Sequence, residues 1–173
     1  MRWRFSVGVI IAAMFATANL QAQDKYYYHS VNTNTLAASF GKTYKVQYQH
    51  QLSHRRQFVF SATYILDKYD LGPDRVESDV YALSIRLQRN LIYLKRAFIN
   101  VNLGVGGYYT EAINKLDIEV NEVNFNIVTG IQLEVFLVRE RLALLVELDG
   151  LFMPFSDIYD ALRVPTAGLE INF

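Results

Sequence analysis

The chain has 173 residues, of which 51% are hydrophobic and 14% aromatic, and its 17 Lys and Arg balance its 17 Asp and Glu. This length suits one domain with or without a targeting segment, and the apolar content excludes a disordered chain. A formal net charge of +0 argues against a strongly basic nucleic-acid-binding protein. The absence of cysteine excludes disulfide bonds, thiolate zinc sites, a cysteine nucleophile and a lipoprotein anchor.

The first 22 residues have the features of a secretory signal peptide. Two arginines lie in MRWRF, the apolar stretch SVGVIIAAMFATA follows, and small residues precede a predicted cleavage between Ala22 and Gln23. The apolar run is shorter than the ~20 residues that a membrane-spanning helix needs, although an uncleaved N-terminal anchor helix is the alternative. We expect residues 1–22 to be removed on export across a bacterial inner membrane, which leaves residues 23–173 as one domain.

From about Asn34 onward, apolar and polar residues alternate in successive short segments, which is the pattern of β-strands. In the fourth segment, for example, Leu83 and Ile85 fall on one face while Ser84 and Arg86 fall on the other. The segments are TLAASFG, YKVQYQHQL, FVFSATYIL, YALSIRLQ, FINVNLGVGGYY, NFNIVTGIQLEVFL, LALLVELDGLF and VPTAGLEINF. Eight alternating strands without a predicted helix indicate an antiparallel up-and-down β-barrel.

Alternation alone fits both a soluble lipocalin-like barrel with an apolar interior and a membrane barrel with an apolar exterior. The polar face consists mostly of Asn, Gln, Ser, Thr and Gly with few charges, which suits a crowded lumen better than a solvated surface. Aromatic residues cluster near strand ends, as the two aromatic girdles of a membrane barrel do. These residues are Tyr44, Tyr64, Tyr81, Tyr109, Phe125 and Phe152, and Phe58, Phe98 and Phe173.

The connections between the predicted strands alternate in charge and, for the most part, in length. SHRRQ, RNLIYLKR and VRER are basic, whereas DKYDLGPDRVESD, EAINKLDIEVNE and MPFSDIYDA are mostly longer and net acidic; the connection near GKT is short. Periplasmic turns and larger extracellular loops are typical of outer-membrane barrels. The sequence therefore predicts an eight-stranded transmembrane β-barrel of outer-membrane type, in contact with outer-membrane lipid and with both termini in the periplasm. A soluble barrel or sandwich is the alternative.

The polar face of the predicted strands carries a set of charges that the barrel would enclose. An interior of eight strands is just wide enough to be filled by side chains, so we do not expect a diffusion pore. Buried charges must be paired, and we expect Lys45 and Arg86 to pair with carboxylates of the later strands, with a proton or ion path as the alternative. Those carboxylates are Glu134, Glu147, Asp149 and Glu170. Glycines in GVGGYY, which are Gly104, Gly106 and Gly107, are expected to allow a bend or to make room for bulky lumen neighbours.

No catalytic, cofactor or metal site is predicted. His50 and His54 fall on or beside a turn, and no Ser–His–acid set converges by strand position. One alternative is a lipid-modifying barrel enzyme, with His29 and Ser30 as its candidate residues. The other is a generic small outer-membrane barrel for adhesion or envelope integrity. The basic runs SHRRQ and LIYLKR are too short for a phosphate-binding groove, so direct nucleic-acid binding is not expected.

The last strand ends with apolar residues at alternate positions and a terminal aromatic, namely Leu169, Ile171 and Phe173. This ending resembles the C-terminal signal that the barrel-assembly machinery of the outer membrane recognises. The same residues are expected to pair with the first strand, so that no strand edge is exposed to lipid. Pro165, which lacks an N–H, is expected at the outer end of this strand, where a missing hydrogen bond faces water.

The Ala-Gln junction after the signal peptide, the eight-strand layout and the ending PTAGLEINF resemble the conjugal transfer protein TraO family. NFNIVTGIQLEVFLVRERLALLVELDG is similar to the sixth and seventh strands of that family around their tight turn. The first hairpin is more compressed and the early strands have fewer glycines than that pattern. The resemblance implies a non-enzymatic outer-membrane component of a conjugative DNA-transfer apparatus, with other conjugation proteins as partners. It carries over no set of functional residues.

Overall fold

The computed structural model describes residues 31–40, 43–71, 74–113, 119–138, 141–156 and 159–173, of which 67–71, 74–77, 112–113 and 119–120 are described at the backbone only. The eight strands are β1 (Asn34–Phe40), β2 (Thr43–Ser53), β3 (Arg56–Leu71), β4 (Asp74–Leu94), β5 (Ala97–Ile113), β6 (Glu119–Val138), β7 (Leu142–Phe152) and β8 (Ala161–Asn172). Each strand pairs antiparallel with its sequence neighbours, and β1 pairs with β8. The predicted closed up-and-down barrel is confirmed.

The barrel has two ends, which we name by their connections. The termini end carries the start of β1, the end of β8 and the β2–β3, β4–β5 and β6–β7 connections. The loop end carries the β1–β2, β3–β4, β5–β6 and β7–β8 connections. The predicted signal peptide with its Ala22–Gln23 cleavage point lies outside the described residues, as do His29 and Ser30. Within the described parts of the chain, no helix is long and apolar enough to cross a membrane.

Strands β3 to β6 are longer than the alternation of side chains predicted. β3 continues to Leu71 before β4 starts at Asp74, and β5 continues to Ile113 before β6 starts at Glu119. Most of DKYDLGPDRVESD and EAINKLDIEVNE, predicted as loops, is therefore paired strand, and β4 likewise continues to Leu94 through the predicted RNLIYLKR connection. Backbone pairing in a hairpin needs no alternation of side chains, so these strands continue beyond the point at which the alternation ends.

Burial in this barrel is inverted relative to a soluble protein. Polar side chains such as Arg86 (1% exposed) and Gln132 (0%) are buried, whereas Leu83 (67%) and Leu103 (63%) lie outside. The same inversion recurs on all the strands, with outward Leu36, Val46, Phe60, Ile85, Val105, Ile131, Leu148 and Leu169 all exposed. A continuous apolar exterior of this extent is not stable in water, so the exterior is a lipid-facing surface of the kind seen in membrane barrels.

The height of the apolar exterior can be read from the β3–β4 ladder. Its outward pairs run from Arg56–Arg89 at the termini end, through Phe60–Ile85, to Tyr64–Tyr81 towards the loop end. From residue 56 to residue 64 a strand rises roughly 26 Å, which at the usual strand tilt is about 20 Å along the barrel axis. This height is close to the apolar band of about 25 Å in outer-membrane barrels.

Tyrosines form an aromatic girdle around one side of the barrel near the loop end. The rings of Tyr44 and Tyr64 lie 6.2 Å apart, those of Tyr64 and Tyr81 5.0 Å, and those of Tyr81 and Tyr109 6.2 Å. This row crosses β2, β3, β4 and β5 at one level, as predicted. Phe98, predicted for the girdle at the other end, is instead buried at 3% exposure, because it shares the inward parity of Asn100 and Asn102 along β5.

Candidate functional site

The centre of the lumen holds a compact cluster of two cations and two anions, which we call the ion cluster: Lys45, Arg86, Glu147 and Asp149. β2 supplies Lys45, β4 supplies Arg86, and both carboxylates come from β7, two residues apart on its inward face. Lys45 Nζ lies 2.7 Å from Glu147 Oε2 and also bonds Asp149. Arg86 Nη1 lies 2.8 Å from Glu147 Oε1 and 2.9 Å from Asp149 Oδ2. The formal charges cancel.

Amide side chains complete the hydrogen bonding of the two carboxylates. Gln47 Nε2 donates to Glu147 Oε2 at 2.5 Å, and Asn102 Nδ2 donates at 3.3 Å to Glu147 Oε1 and at 3.3 Å to Asp149 Oδ1. Arg86 is less well satisfied, because its Nε and Nη2 are buried without a hydrogen-bond partner among the described residues. Buried ions are tolerated only when paired and hydrogen-bonded, and the carboxylates meet that condition.

Glu134 and Glu170 lie in the lumen but belong to a different part of the polar network. Both are fully buried, and the ion pairs given above join Lys45 and Arg86 to the β7 carboxylates instead. Gln49 Nε2 donates to Glu170 Oε2 at 3.4 Å, and Asn100 Nδ2 donates to Glu134 Oε2 at 3.3 Å. The six charged residues singled out in the sequence thus all face the lumen, and four of them form the ion cluster.

An amide network continues the polar lumen towards the termini end. Gln88 Nε2 donates to Gln57 Oε1 at 3.0 Å and to Gln132 Oε1 at 2.6 Å, and Asn100 Nδ2 donates to the same Gln132 oxygen at 2.8 Å. These four side chains tie β3, β4, β5 and β6 together across the interior. Side-chain amides supply both donors and acceptors, so such a network can fill a narrow lumen without adding charge.

Glycine opposite Arg86 makes room for its side chain. Gly104 is the Cα partner of Arg86 in the β4–β5 ladder, and a Cβ there would lie 2.6 Å from Arg86 Cγ and 2.7 Å from its Cα. Gly107 differs, because it faces outward and the nearest atom to its Cβ would be Asn124 O at 3.7 Å. Gly106 faces inward like Gly104, and a Cβ there would lie 2.6 Å from Asn126 Oδ1. The expectation that these glycines make room for lumen neighbours therefore holds for Gly104 and Gly106 and is wrong for Gly107.

Apolar plugs lie above and below the polar lumen, and the sequence reasoning missed both. The plug at the loop end consists of Ile65, Val80, Ala82, Tyr108, Val128, Leu151, Met153, Tyr159, Leu162 and Val164. At the termini end, Phe98, Phe136 and Ala143 pack together with Tyr93, and the Phe98 and Phe136 rings meet edge to face at 5.6 Å. Alternation along the strand could have predicted the plug at the termini end, because Phe136 follows Gln132 and Glu134 at every second position and therefore faces inward.

The loop-end plug is tied to the loops by hydrogen bonds. Tyr108 Oη donates to Glu122 Oε1 at 2.7 Å, Ser156 Oγ donates to Glu122 Oε2 at 2.8 Å, and Ser78 bonds Tyr159. A cavity beneath this plug, lined by residues that include Ser84, Asn126 and Asp149, has a volume of about 10 Å³. That is about the room needed for one water molecule, so the lumen at this level is packed rather than open.

One of the histidines considered in the sequence has an asparagine side chain as its neighbour. His50 lies on the outward face of β2, and its Nδ1 is 2.9 Å from Asn34 Oδ1 rather than from a serine or carboxylate. Across the described ranges, no group of three or more His, Asp or Glu side chains is placed to hold a metal ion.

The C-terminal strand closes the barrel. β8 residues 167–172 pair with β1 residues 35–40, the backbones of Phe173 and Asn34 exchange hydrogen bonds of 2.9 and 3.1 Å, and Thr35 Oγ1 bonds Asn172 Oδ1 at 2.5 Å. Leu169, Ile171 and Phe173 all point outward. The prediction that Pro165 lies at the outer end of this strand is wrong, because β8 begins at Ala161 and Pro165 pairs with Leu148 of β7 within it. On its other side Pro165 lies beyond the last described pair of the seam with β1, so no described hydrogen bond of the seam requires its missing N–H. The role of this strand as a signal for the barrel-assembly machinery stays a prediction.

Comparisons with known proteins give likeness of fold alone. No protein-family model and no curated protein matches the chain. The N-terminal β-barrel domain of Pseudomonas aeruginosa OprF aligns with 16% identity and a TM-score of 0.63 over 83% of this chain and 98% of its own. Neisserial surface protein A aligns with 6% identity and a TM-score of 0.59 over 82% of this chain and 94% of its own. Ail, the attachment invasion locus protein of Yersinia pestis, aligns with 9% identity and a TM-score of 0.56 over 83% of this chain and 100% of its own.

Proposed function

We propose that this protein is an integral outer-membrane β-barrel without catalytic activity, whose function is carried by its two ends and its lipid-facing exterior. The observation that carries the proposal is the inverted burial: charged and amide side chains fill the lumen, while large apolar side chains cover the outside. Such a surface needs a lipid environment. Outer-membrane lipid and the barrel-assembly machinery are accordingly its expected partners.

Charge supports an orientation with the termini end in the periplasm. Exposed basic residues surround that end, namely Arg55, Arg56, Arg89, Lys95, Arg96 and Arg141, whereas the acidic side chains described there, Glu134 and Glu170, are buried. The long hairpins β3–β4 and β5–β6 rise from the loop end. Short turns in the periplasm and longer projections outside the cell are usual in such barrels.

The closed lumen favours contact functions over transport. The ion cluster, the amide network and the two apolar plugs occupy the interior, and the cavity near Asp149 holds room for about one water. We infer that the hairpins of the loop end are the working surface, as in a small barrel for adhesion or envelope integrity. One structural neighbour, Ail, is named as an attachment invasion locus protein. That name supports a contact function of this kind but identifies no receptor.

The competing function is a lipid-modifying enzyme, and lipid analysis separates the two. Lipid A would be extracted from cells with and without the gene and compared by mass spectrometry. We expect the same acylation pattern in both. A changed pattern that disappears in His29→Ala and Ser30→Ala variants would contradict the non-enzymatic proposal.

We propose conjugation as the process in which this barrel acts, on the strength of the resemblance of NFNIVTGIQLEVFLVRERLALLVELDG and PTAGLEINF to the TraO family. The partners would then be other proteins of the conjugation apparatus. Deleting the gene from a donor strain should reduce DNA transfer with unchanged lipid A, and the wild-type gene should restore transfer. Normal transfer from the deletion strain would remove conjugation from the proposal and leave the general barrel function in place.

A further inference from the structure

Two arginines oppose each other on the outside of the barrel, as the last pair of the β3–β4 ladder at the termini end. Arg56 and Arg89 are Cα partners in the β3–β4 ladder, and both side chains are exposed on the outward face. Directly opposed residues hold their Cβ atoms about 5 Å apart, where like charges repel. Neither arginine forms an ion pair with a carboxylate of the described residues.

The surroundings of this arginine pair add positive charge. The Asn90 amide donates to the Arg55 carbonyl at 2.9 Å, so the β2–β3 turn lies directly against β4 and brings Arg55 to the same corner. With Glu134 and Glu170 buried in the lumen, this corner lacks a described acidic side chain on the outside to balance it.

An apolar track leads from the arginine pair into the lipid-facing band. The next outward pairs of the ladder are Phe58–Leu87, Phe60–Ile85 and Ala62–Leu83. Leu87 and Leu83 are 51% and 67% exposed, and the Phe58 and Phe60 rings lie 5.0 Å apart. Positive charge therefore borders directly on exposed apolar surface, which matches the shape of a lipid with an anionic headgroup and an acyl chain.

We propose that the Arg56–Arg89 pair binds the phosphate of an anionic glycerophospholipid in the periplasmic leaflet, with one acyl chain along the Phe58–Leu83 track. Guanidinium groups bind phosphate with paired, charge-assisted hydrogen bonds, so one phosphate between the two arginines replaces their repulsion by attraction. This inference rests on the proposed membrane location and goes beyond it by naming a ligand and its site.

The test is lipid retention by the purified full-length chain. Protein folded in a zwitterionic detergent would be mixed with equal amounts of phosphatidylglycerol and phosphatidylcholine and examined by native mass spectrometry. We expect wild type to retain phosphatidylglycerol preferentially and the R56Q/R89Q variant to lose that retention by roughly fivefold for each arginine removed. The control is Arg163→Gln, which removes an exposed arginine opposite Gly150 near the other end of the barrel and should leave retention unchanged.

A second readout keeps the proposal testable if retention is small. In detergent alone, Arg89→Gln should have a higher thermal midpoint than wild type, because the substitution removes a contact between like charges. With phosphatidylglycerol added, the variant should have a lower thermal midpoint than wild type. Equal retention of the two lipids by wild type, unchanged retention by R56Q/R89Q, or full displacement of lipid by soluble glycerol phosphate would each overturn the proposal. Only protein with the heat-dependent gel mobility of a folded barrel is used, so failure of the membrane proposal is detected separately.

Discussion

At the scale of single residues, the strongest feature of the molecule is the ion cluster in the lumen. The alternation of apolar and polar residues along β2, β4 and β7 was enough to predict that Lys45, Arg86 and the β7 carboxylates face inward. Parity could not say which carboxylate meets which base, because that depends on strand stagger and side-chain length. The stagger brings Glu147 and Asp149 to Arg86 and leaves Glu134 and Glu170 with amide donors.

Removing Arg86 should destabilise the barrel. Arg86→Ala leaves Glu147 and Asp149 buried with Lys45 as their remaining cation, and breaking a buried ion pair in this way costs about 3–5 kcal/mol. We expect a lower midpoint for the heat-induced loss of the folded gel band, measured in detergent. Arg163→Ala, an exposed change, should melt as wild type does; an Arg86→Ala barrel with the wild-type midpoint would show that the cluster contributes nothing to stability.

Gly104 should be intolerant of a methyl group. In Gly104→Ala the added Cβ would lie 2.1 Å from the backbone carbonyl oxygen of Ile85 and 2.6 Å from Arg86 Cγ. The backbones of β4 and β5 would therefore have to separate. We expect a reduced yield of folded protein on refolding into detergent. Gly107→Ala, three residues further along the same strand, meets nothing closer than 3.7 Å and should refold like wild type. Equal yields for the two variants would contradict the close approach.

At the scale of strands, the sequence predicted how many there are and which face is which, but not where each strand ends. Alternation fades in DKYDLGPDRVESD and EAINKLDIEVNE, yet β3 pairs with β4 out to Leu71 and Asp74, and β5 with β6 out to Ile113 and Glu119. Outside the bilayer a strand needs no apolar face, so the pattern disappears while the hydrogen bonds continue. The plugs were missed for a related reason. Phe98 and Phe136 are aromatic residues near strand ends, and by residue type alone they cannot be distinguished from the outward aromatic residues of a girdle.

The closing strand offers a test of assembly as distinct from stability. Phe173 is 70% exposed, and its backbone bonds Asn34, so Phe173→Asp keeps the backbone pairing while removing the terminal aromatic side chain. We expect little folded protein in the outer membranes of cells, together with near-normal refolding of the purified chain into detergent, because the proposed defect is in recognition by the assembly machinery. Normal accumulation in cells would contradict the proposed signal.

At the scale of the whole molecule, the exterior should behave as a lipid-facing surface with a midplane and two boundaries. Ile85 lies midway between Arg89 and Tyr81 on β4, whereas Leu137 lies near the termini end of β6. Arginine costs about 2–4 kcal/mol at the bilayer midplane and about 0–1 kcal/mol near an interface. Reversible unfolding from liposomes should therefore show a large loss of stability for Ile85→Arg and a small one for Leu137→Arg. Equal losses would argue against this placement.

The most direct test of the central claim is where the full chain is found in the cell and in what state. Cells expressing it would be separated into soluble periplasm, inner membrane and outer membrane, and each fraction examined on gels with and without heating. We predict recovery from the outer membrane, resistant to extraction by carbonate, with a band that shifts on heating as the barrel unfolds. Recovery as soluble protein in the periplasm would contradict the claim that the apolar face of this barrel meets lipid.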